Sequence, residues 1–151
     1  MTRVWRLAKA KHAAFNGAGA RLHGGRWNHP GVPVVYTSAT LSLATLEFLV
    51  HLDQDEMPGS LVAVSADIPA GVPITRIDAR PLPADWRTFP APADVVELGT
   101  AWVRSGATAM LAAPSVVIPH EWNYILNPRH RAFSRIRIGQ PQPFVLDTRL
   151  H

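Results

Sequence analysis

"GGRWNHPGVPVVYTSATLSLATLEFLVHL", residues 24–52, holds a loop, a strand and a helix in immediate succession. Two glycines lead into Arg26, Trp27 and Asn28. Pro33 then opens a β-branched run that ends in Tyr36, Thr37 and Ser38. Proline is best tolerated where a strand starts, so a short strand is predicted over 32–38. Thr40 is placed to cap a helix, and Leu43, Leu46 and Val50 recur at helical spacing. The other apolar residues of 40–52 predict a helix buried on most sides.

Working outward, residues 3–8 alternate as a first strand, and residues 15–31 form a long glycine-rich loop. Strands are expected at 61–68 and 72–78, and a helix at 92–106 with Gly106 as its stop. Residues 109–119 read as strand, proline break, strand. Residues 121–128 read as irregular or a single helical turn, with Asn123 and Asn127 as candidate turn formers, and 133–139 and 143–148 as closing strands. The expectation is one α+β domain over residues 1–151, a mixed β core with a few helices.

Composition narrows the function. Hydrophobic residues make up 47% of the chain and charged ones 17%, which is the balance of a folded globule. With no cysteine, thiolate metal sites and disulfide frameworks are excluded. The opening residues lack the apolar run of a signal peptide and nothing approaches a membrane span, so a cytoplasmic protein is expected. The +4 formal charge is concentrated late in the chain, chiefly at Arg129, Arg131, Arg135 and Arg137. Such a stretch is solvated surface, a contact for an anionic ligand or acidic partner, or a nucleic-acid face.

Four residues stand out as candidate chemistry. Glu47 falls on the core-facing side of its helix or at the edge of that side, where a carboxylate needs partners. It reads as a structural ion pair, as a helix-surface residue or as an active-site carboxylate. Arg26 follows two glycines that let backbone approach a ligand; its forked donors suit a phosphate, a carbonyl or a carboxylate equally. Tyr36 either caps the core or offers a flat ring for stacking. Ser115, in "APSVVIP", lacks the elbow of a serine hydrolase and reads as a hydrogen-bonding hydroxyl. A metal site is not expected: Glu47 and His51 are only two ligands, and "HEWNY" at 120–124 has Tyr124 where a zinc helix needs a second histidine.

Taken together, "GARLHGGRWN", "PVVYTS", "LATLEFLVHL" and "EWNYILNP" resemble the RES-domain toxins, named for an arginine, a glutamate and a serine. The resemblance runs from Val4 to about Arg131 and puts the three eponymous positions on Arg26, Glu47 and Ser115. It implies a fold like that of mono-ADP-ribosyltransferases and a toxin that consumes NAD+ by cleaving its nicotinamide–ribose bond. Water, phosphate or a protein side chain would be the acceptor. It implies no prosthetic group, with NAD+ as substrate, and an Xre-type helix-turn-helix antitoxin as partner, through which alone DNA is reached. On this reading Glu47 stabilises the cationic ribose, Arg26 holds the diphosphate, Tyr36 stacks on nicotinamide and Ser115 orients Glu47 or a ribose hydroxyl. Arg6, Trp27, Asn28, Ser38, Asn123 and His130 are further expected contacts. The competing expectation is a non-catalytic module that binds nucleic acid or protein through the basic C-terminal stretch.

Overall fold

In the computed structural model, which describes residues 1–52 and 59–150, one curved sheet runs through the molecule. Its strands are β1 (Thr2–Lys9), β2 (Val35–Ser38), β3 (Leu61–Ile68), β4 (Ile74–Arg76), β5 (Met110–Pro114), β6 (Trp122–Leu126), β7 (Arg137–Ile138) and β8 (Gln142–Phe144). The order is β4-β5-β6-β2-β1-β3-β7, with β8 also pairing β3. Only β4 and β5 are parallel among the pairs of described strands. Three helices accompany the sheet: α1 (Ala18–His23), α2 (Leu41–Val50) and α3 (Ala93–Ser105). This is the α+β class expected from the sequence.

The sheet has a weak seam. β1 pairs β3 along eight registered positions, whereas β1 and β2 meet at the single pair Trp5↔Ser38. That single pair joins two wings of the sheet, β4-β5-β6-β2 and β1-β3-β7. Helix α2 packs against both β1 and β2 and so bridges the seam. The Thr40 hydroxyl caps it by accepting from the Leu43 amide at 3.1 Å.

Alternation along the strands divides the core. Val4, Val35, Val64, Ala66, Met110 and Leu126 fill one face, while Val34, Leu111, Ala113 and Ile125 join Trp27, Val95 and Trp102 on the other. α3 supplies that second layer and ends at Gly106, whose left-handed φ of 63° satisfies the stop read from sequence.

Several local expectations change. The stretch 121–128 is a strand, β6, flanked by β5 and β2. Its asparagines suggested a turn, but Asn123 finds side-chain partners inside the sheet, and Ile125 and Leu126 are fully buried. The 15–31 loop contains α1, which begins where Asn16 Oδ1 accepts from the Ala18 amide. No second strand follows Pro114, because the Ser115 hydroxyl accepts from the amides of Val117 and Ile118 and turns the chain. Arg131–Arg135 form a 3-10 helix before the two-residue β7.

Candidate active site

The seam carries a connected set of polar side chains. Ser38 and Asn123 are register partners on β2 and β6, and the Ser38 hydroxyl donates to Asn123 Oδ1 at 2.7 Å. Asn123 Nδ2 then donates to Glu47 Oε1 at 2.8 Å, and the Ser115 hydroxyl donates to the same oxygen at 2.7 Å. Both serines are buried, Ser115 completely. Three elements, β2, β6 and the turn after β5, thus hold one carboxylate oxygen on α2. Glu47 is half-buried, and its Oε2 accepts no hydrogen bond among the described residues. A carboxylate fixed at one oxygen and free at the other is preorganised to meet a cation or a hydroxyl.

Arg26 lies within electrostatic reach of this carboxylate without forming an ion pair with it. Residues 25–28 make a tight turn in which Gly25 and Asn28 exchange backbone bonds, leaving Arg26 and Trp27 at its tip. Burial lowers the Arg26 pKa from its ordinary value, while the nearby Glu47 carboxylate and Tyr36 oppose that shift. Two of its donors are already committed: Nη1 to the Trp86 carbonyl at 2.8 Å and Nη2 to the Thr88 carbonyl at 3.0 Å. The guanidinium therefore fastens the segment 86–88 to the site, a role additional to the expected anion clamp. A guanidinium has five N–H donors, so this leaves others to spare.

Tyr36 supports the turn from below. Its hydroxyl accepts from the Trp27 amide at 3.0 Å and donates to Asn28 Oδ1. Burial pushes its pKa well above the ordinary phenol value. A Cβ on Gly25 would lie 2.7 Å from the Tyr36 hydroxyl oxygen and 3.0 Å from the ring, which explains the second glycine of the motif. Asn28 is buried, and its Nδ2 donates to the carbonyls of Ala20 and Val32 at 2.8 and 3.0 Å. Trp27 is buried in the core layer under α3. The structure thus gives Trp27 and Asn28 the work of building the loop, where the sequence suggested ligand contacts.

Two expected residues stand apart. Arg6 shares the β1 face with Val4, opposite to that of Trp5 and Leu7. Its Nη2 donates to the His12 carbonyl at 3.1 Å and its Nε is buried without a partner. His130 caps the 3-10 helix, with Nδ1 accepting from the Ala132 amide at 3.0 Å, and lies beyond the far end of β6 from Asn123.

Other contributors escaped the sequence reading. A Cβ at Gly99 of α3 would stand 2.0 Å from the Trp27 carbonyl oxygen, and Thr100 Oγ1 accepts from the His29 amide at 2.9 Å. α3 is therefore pressed directly onto the Arg26 turn. The available signal was a Gly-Thr pair inside a helix, a position where glycine is costly without a packing reason. Exposed Phe89 rests against the His51 ring, with centroids 6.0 Å apart, just past the end of α2. Among the described residues no three His, Asp or Glu side chains gather as a metal group, and no helix is long and apolar enough to cross a membrane.

With this geometry in place, comparison is informative. Residues 3–147 match the RES domain. The chain belongs to the RES-domain family. A "Toxin Res" of Photorhabdus laumondii is 38% identical over 97% of the chain and 96% of its own length. Another of that name from Yersinia enterocolitica is 35% identical over 97% and 98%. The "Prs ADP-ribosylating toxin" of a Sphingobium species is 34% identical over 99% and 96%. Among solved structures, the M. tuberculosis MbcT-MbcA toxin-antitoxin complex contains a chain that superposes with a TM-score of 0.76, covering 95% of this RES domain and 84% of that chain. At 13% identity this likeness concerns the fold alone.

Proposed function

We propose that this RES protein is the toxin of a toxin–antitoxin pair and acts by breaking the bond between nicotinamide and ribose in NAD+. The observation that carries the reading is Glu47, anchored through Oε1 by Ser115 and Asn123 and unbonded at Oε2 among the described residues, with the Arg26 cation nearby. The names of its relatives point the same way, one of them being called an ADP-ribosylating toxin.

The chemistry follows from the charges. As the C1′–N bond breaks, its electron pair goes to the nicotinamide nitrogen, which becomes neutral, and positive charge develops on the ribose. Glu47 Oε2 opposes that charge more strongly in the transition state than in the ground state. Ser115, Asn123 and Ser38 act through Glu47 as positioning residues. The free donors of Arg26 take the diphosphate, and the ring of Tyr36, whose hydroxyl is fixed inward, stacks beside nicotinamide. The acceptor is water, phosphate or a protein side chain, with Glu47 as base toward it. The partner is an antitoxin of the helix-turn-helix kind that covers the Glu47 site, through which alone the pair reaches DNA.

Incubating purified protein with NAD+ tests the reading, with nicotinamide release compared between the native chain and Glu47→Gln. Free ADP-ribose, ADP-ribose 1″-phosphate and labelled protein, quantified separately, identify the acceptor. Native protein that releases no nicotinamide under any of the three acceptor conditions would refute it.

A further inference from the structure

The basic stretch singled out in the sequence takes no part in the Glu47 site. Asn123, near the start of β6, belongs to that site; Asn127, just past its end, lines a groove. Four residue steps of extended chain separate their Cα atoms by about 13 Å. The groove encloses about 590 Å³ and is bounded by Arg129, Arg131 and Arg135 over Pro73, Val103 and Ala132. A second groove of about 440 Å³ is lined by Arg21 and Arg129 over Phe15, Pro33, Pro128 and Phe133. Arg129 borders both, so the two grooves adjoin. Neither is lined by Arg26 or Glu47.

The electrostatics of this surface are one-sided. No acidic residue is among the described residues lining either groove. Arg21, Arg129, Arg131 and Arg135 form no ion pair among the described residues, and Arg135 reaches only the Gly71 carbonyl at 3.4 Å. Four guanidiniums are thus left without a countercharge around an apolar floor.

We propose that these adjoining grooves bind an acidic, amphipathic peptide segment of a protein partner. Carboxylates would meet the arginine forks at the rim, and apolar side chains would cover Pro73, Val103 and Phe133 between them. The shape disfavours other anions. A DNA duplex, about 20 Å across, meets a ridge or a broad face more readily than a concave groove. Single strands need a run of exposed rings on which successive bases stack, whereas here Phe15 is buried with only 7% of its surface exposed and Phe133 and His130 are half-buried. Inorganic phosphate fills a small fraction of the volume. The inference does not depend on the chemistry assigned to Glu47.

The test uses the full chain and a fluorescent dodecapeptide of alternating Glu-Glu and Leu-Leu pairs, read by anisotropy. The competitors are polyglutamate, a single-stranded oligonucleotide of matched charge, and inorganic phosphate. The dodecapeptide is expected to bind most tightly, with affinity falling as salt rises. The R129Q/R131Q double variant is expected to weaken binding by about tenfold or more while unfolding at the native temperature. Because both side chains are exposed and unpaired, the fold should tolerate their loss, and the salt series on native protein provides an independent readout. Absence of peptide binding, undiminished binding by the double variant, or tighter binding of the oligonucleotide or of phosphate would each overturn the proposal.

Discussion

The Ser115 hydroxyl donates to Glu47 Oε1 at 2.7 Å while accepting from the amides of Val117 at 3.1 Å and Ile118 at 3.0 Å. The two incoming N–H bonds leave the hydroxyl proton one good direction, toward the carboxylate. Ser115 is therefore a positioning residue whose orientation is set by the turn that ends β5. In Ser115→Ala the two amides lose a buried acceptor, at a cost of about 1–3 kcal/mol. Chemical denaturation should show that loss, and nicotinamide release should drop roughly tenfold through kcat. Unchanged stability would show that the amides find another acceptor.

Glu47→Gln removes charge while keeping an oxygen able to accept from Ser115 and Asn123. Stability should be nearly native, whereas NAD+ cleavage should fall by about 100-fold or more, the scale of losing a main transition-state stabiliser. Turnover near the native rate would place the chemistry on another group.

Arg26 holds two roles that substitution can separate. Its bonds to the Trp86 and Thr88 carbonyls make Arg26→Ala destabilising by about 1–3 kcal/mol, read by thermal unfolding. If the remaining donors also bind diphosphate, KM for NAD+ rises in Arg26→Lys as well, since a lysine cannot serve both partners in fork geometry. A native KM in Arg26→Lys would limit the guanidinium to fastening 86–88.

Gly99→Ala tests the pressure of α3 on the loop. The new Cβ would stand 2.0 Å from the Trp27 carbonyl oxygen and 2.7 Å from its carbon, so backbone must move. Overpacking of this kind costs about 1–3 kcal/mol. Calorimetry should record a lower Tm, and nicotinamide release should fall although residue 99 is not in the polar network; a native Tm would mean that α3 can slide without penalty.

Tyr36 gives a pH prediction. Its folded-state pKa is raised, so above the ordinary phenol value of about 10 the unfolded chain loses this proton before the folded one. Unfolding is then favoured as pH rises, and the stability contribution is complete only below that value. Phenolate absorbance near 295 nm should show one tyrosine titrating together with alkaline unfolding, and Tyr36→Phe should abolish that phase. The Phe variant also leaves the Trp27 amide without its acceptor and should unfold more easily at neutral pH. Ionisation of that tyrosine in the still-folded protein would contradict the buried hydroxyl.

Much of the site was legible because its residues sit within local motifs. Thr40 announced α2, which puts Glu47 on a helix, and the glycines announced a close approach at Arg26. The misread segments share a cause. Asparagine usually bonds to nearby backbone, and Asn127 does so, its Oδ1 accepting from the Arg129 amide at 3.0 Å; Asn123 does not, and only the strand order shows that Ser38 and Glu47 wait to receive its side chain. Ser115 before "VVIP" looked like the start of a strand because β-branched residues favour one, yet its hydroxyl captures the next two amides. Trp27, Asn28 and Arg6 were expected as contacts from the resemblance, and only the structure shows that Trp27 and Asn28 also build the loop and that Arg6 bonds the His12 carbonyl.

By itself, the sequence determined the α+β class, the loop–strand–helix succession at 24–52, the N-cap at Thr40 and the stop at Gly106. These depend on periodicity and on conformational preferences within a few residues. Tertiary structure alone decided that β2 lies between β1 and β6 and that α2 crosses the seam. It also decided that α3 presses on the Arg26 turn and that one Glu47 oxygen is tied down while the other accepts no bond among the described residues. Those outcomes depend on contacts between residues far apart along the chain, 76 positions for Asn123 with Glu47 and 85 for Ser38 with Asn123. Such pairs are chosen by the burial and hydrogen-bond satisfaction of the whole fold, which no local pattern encodes.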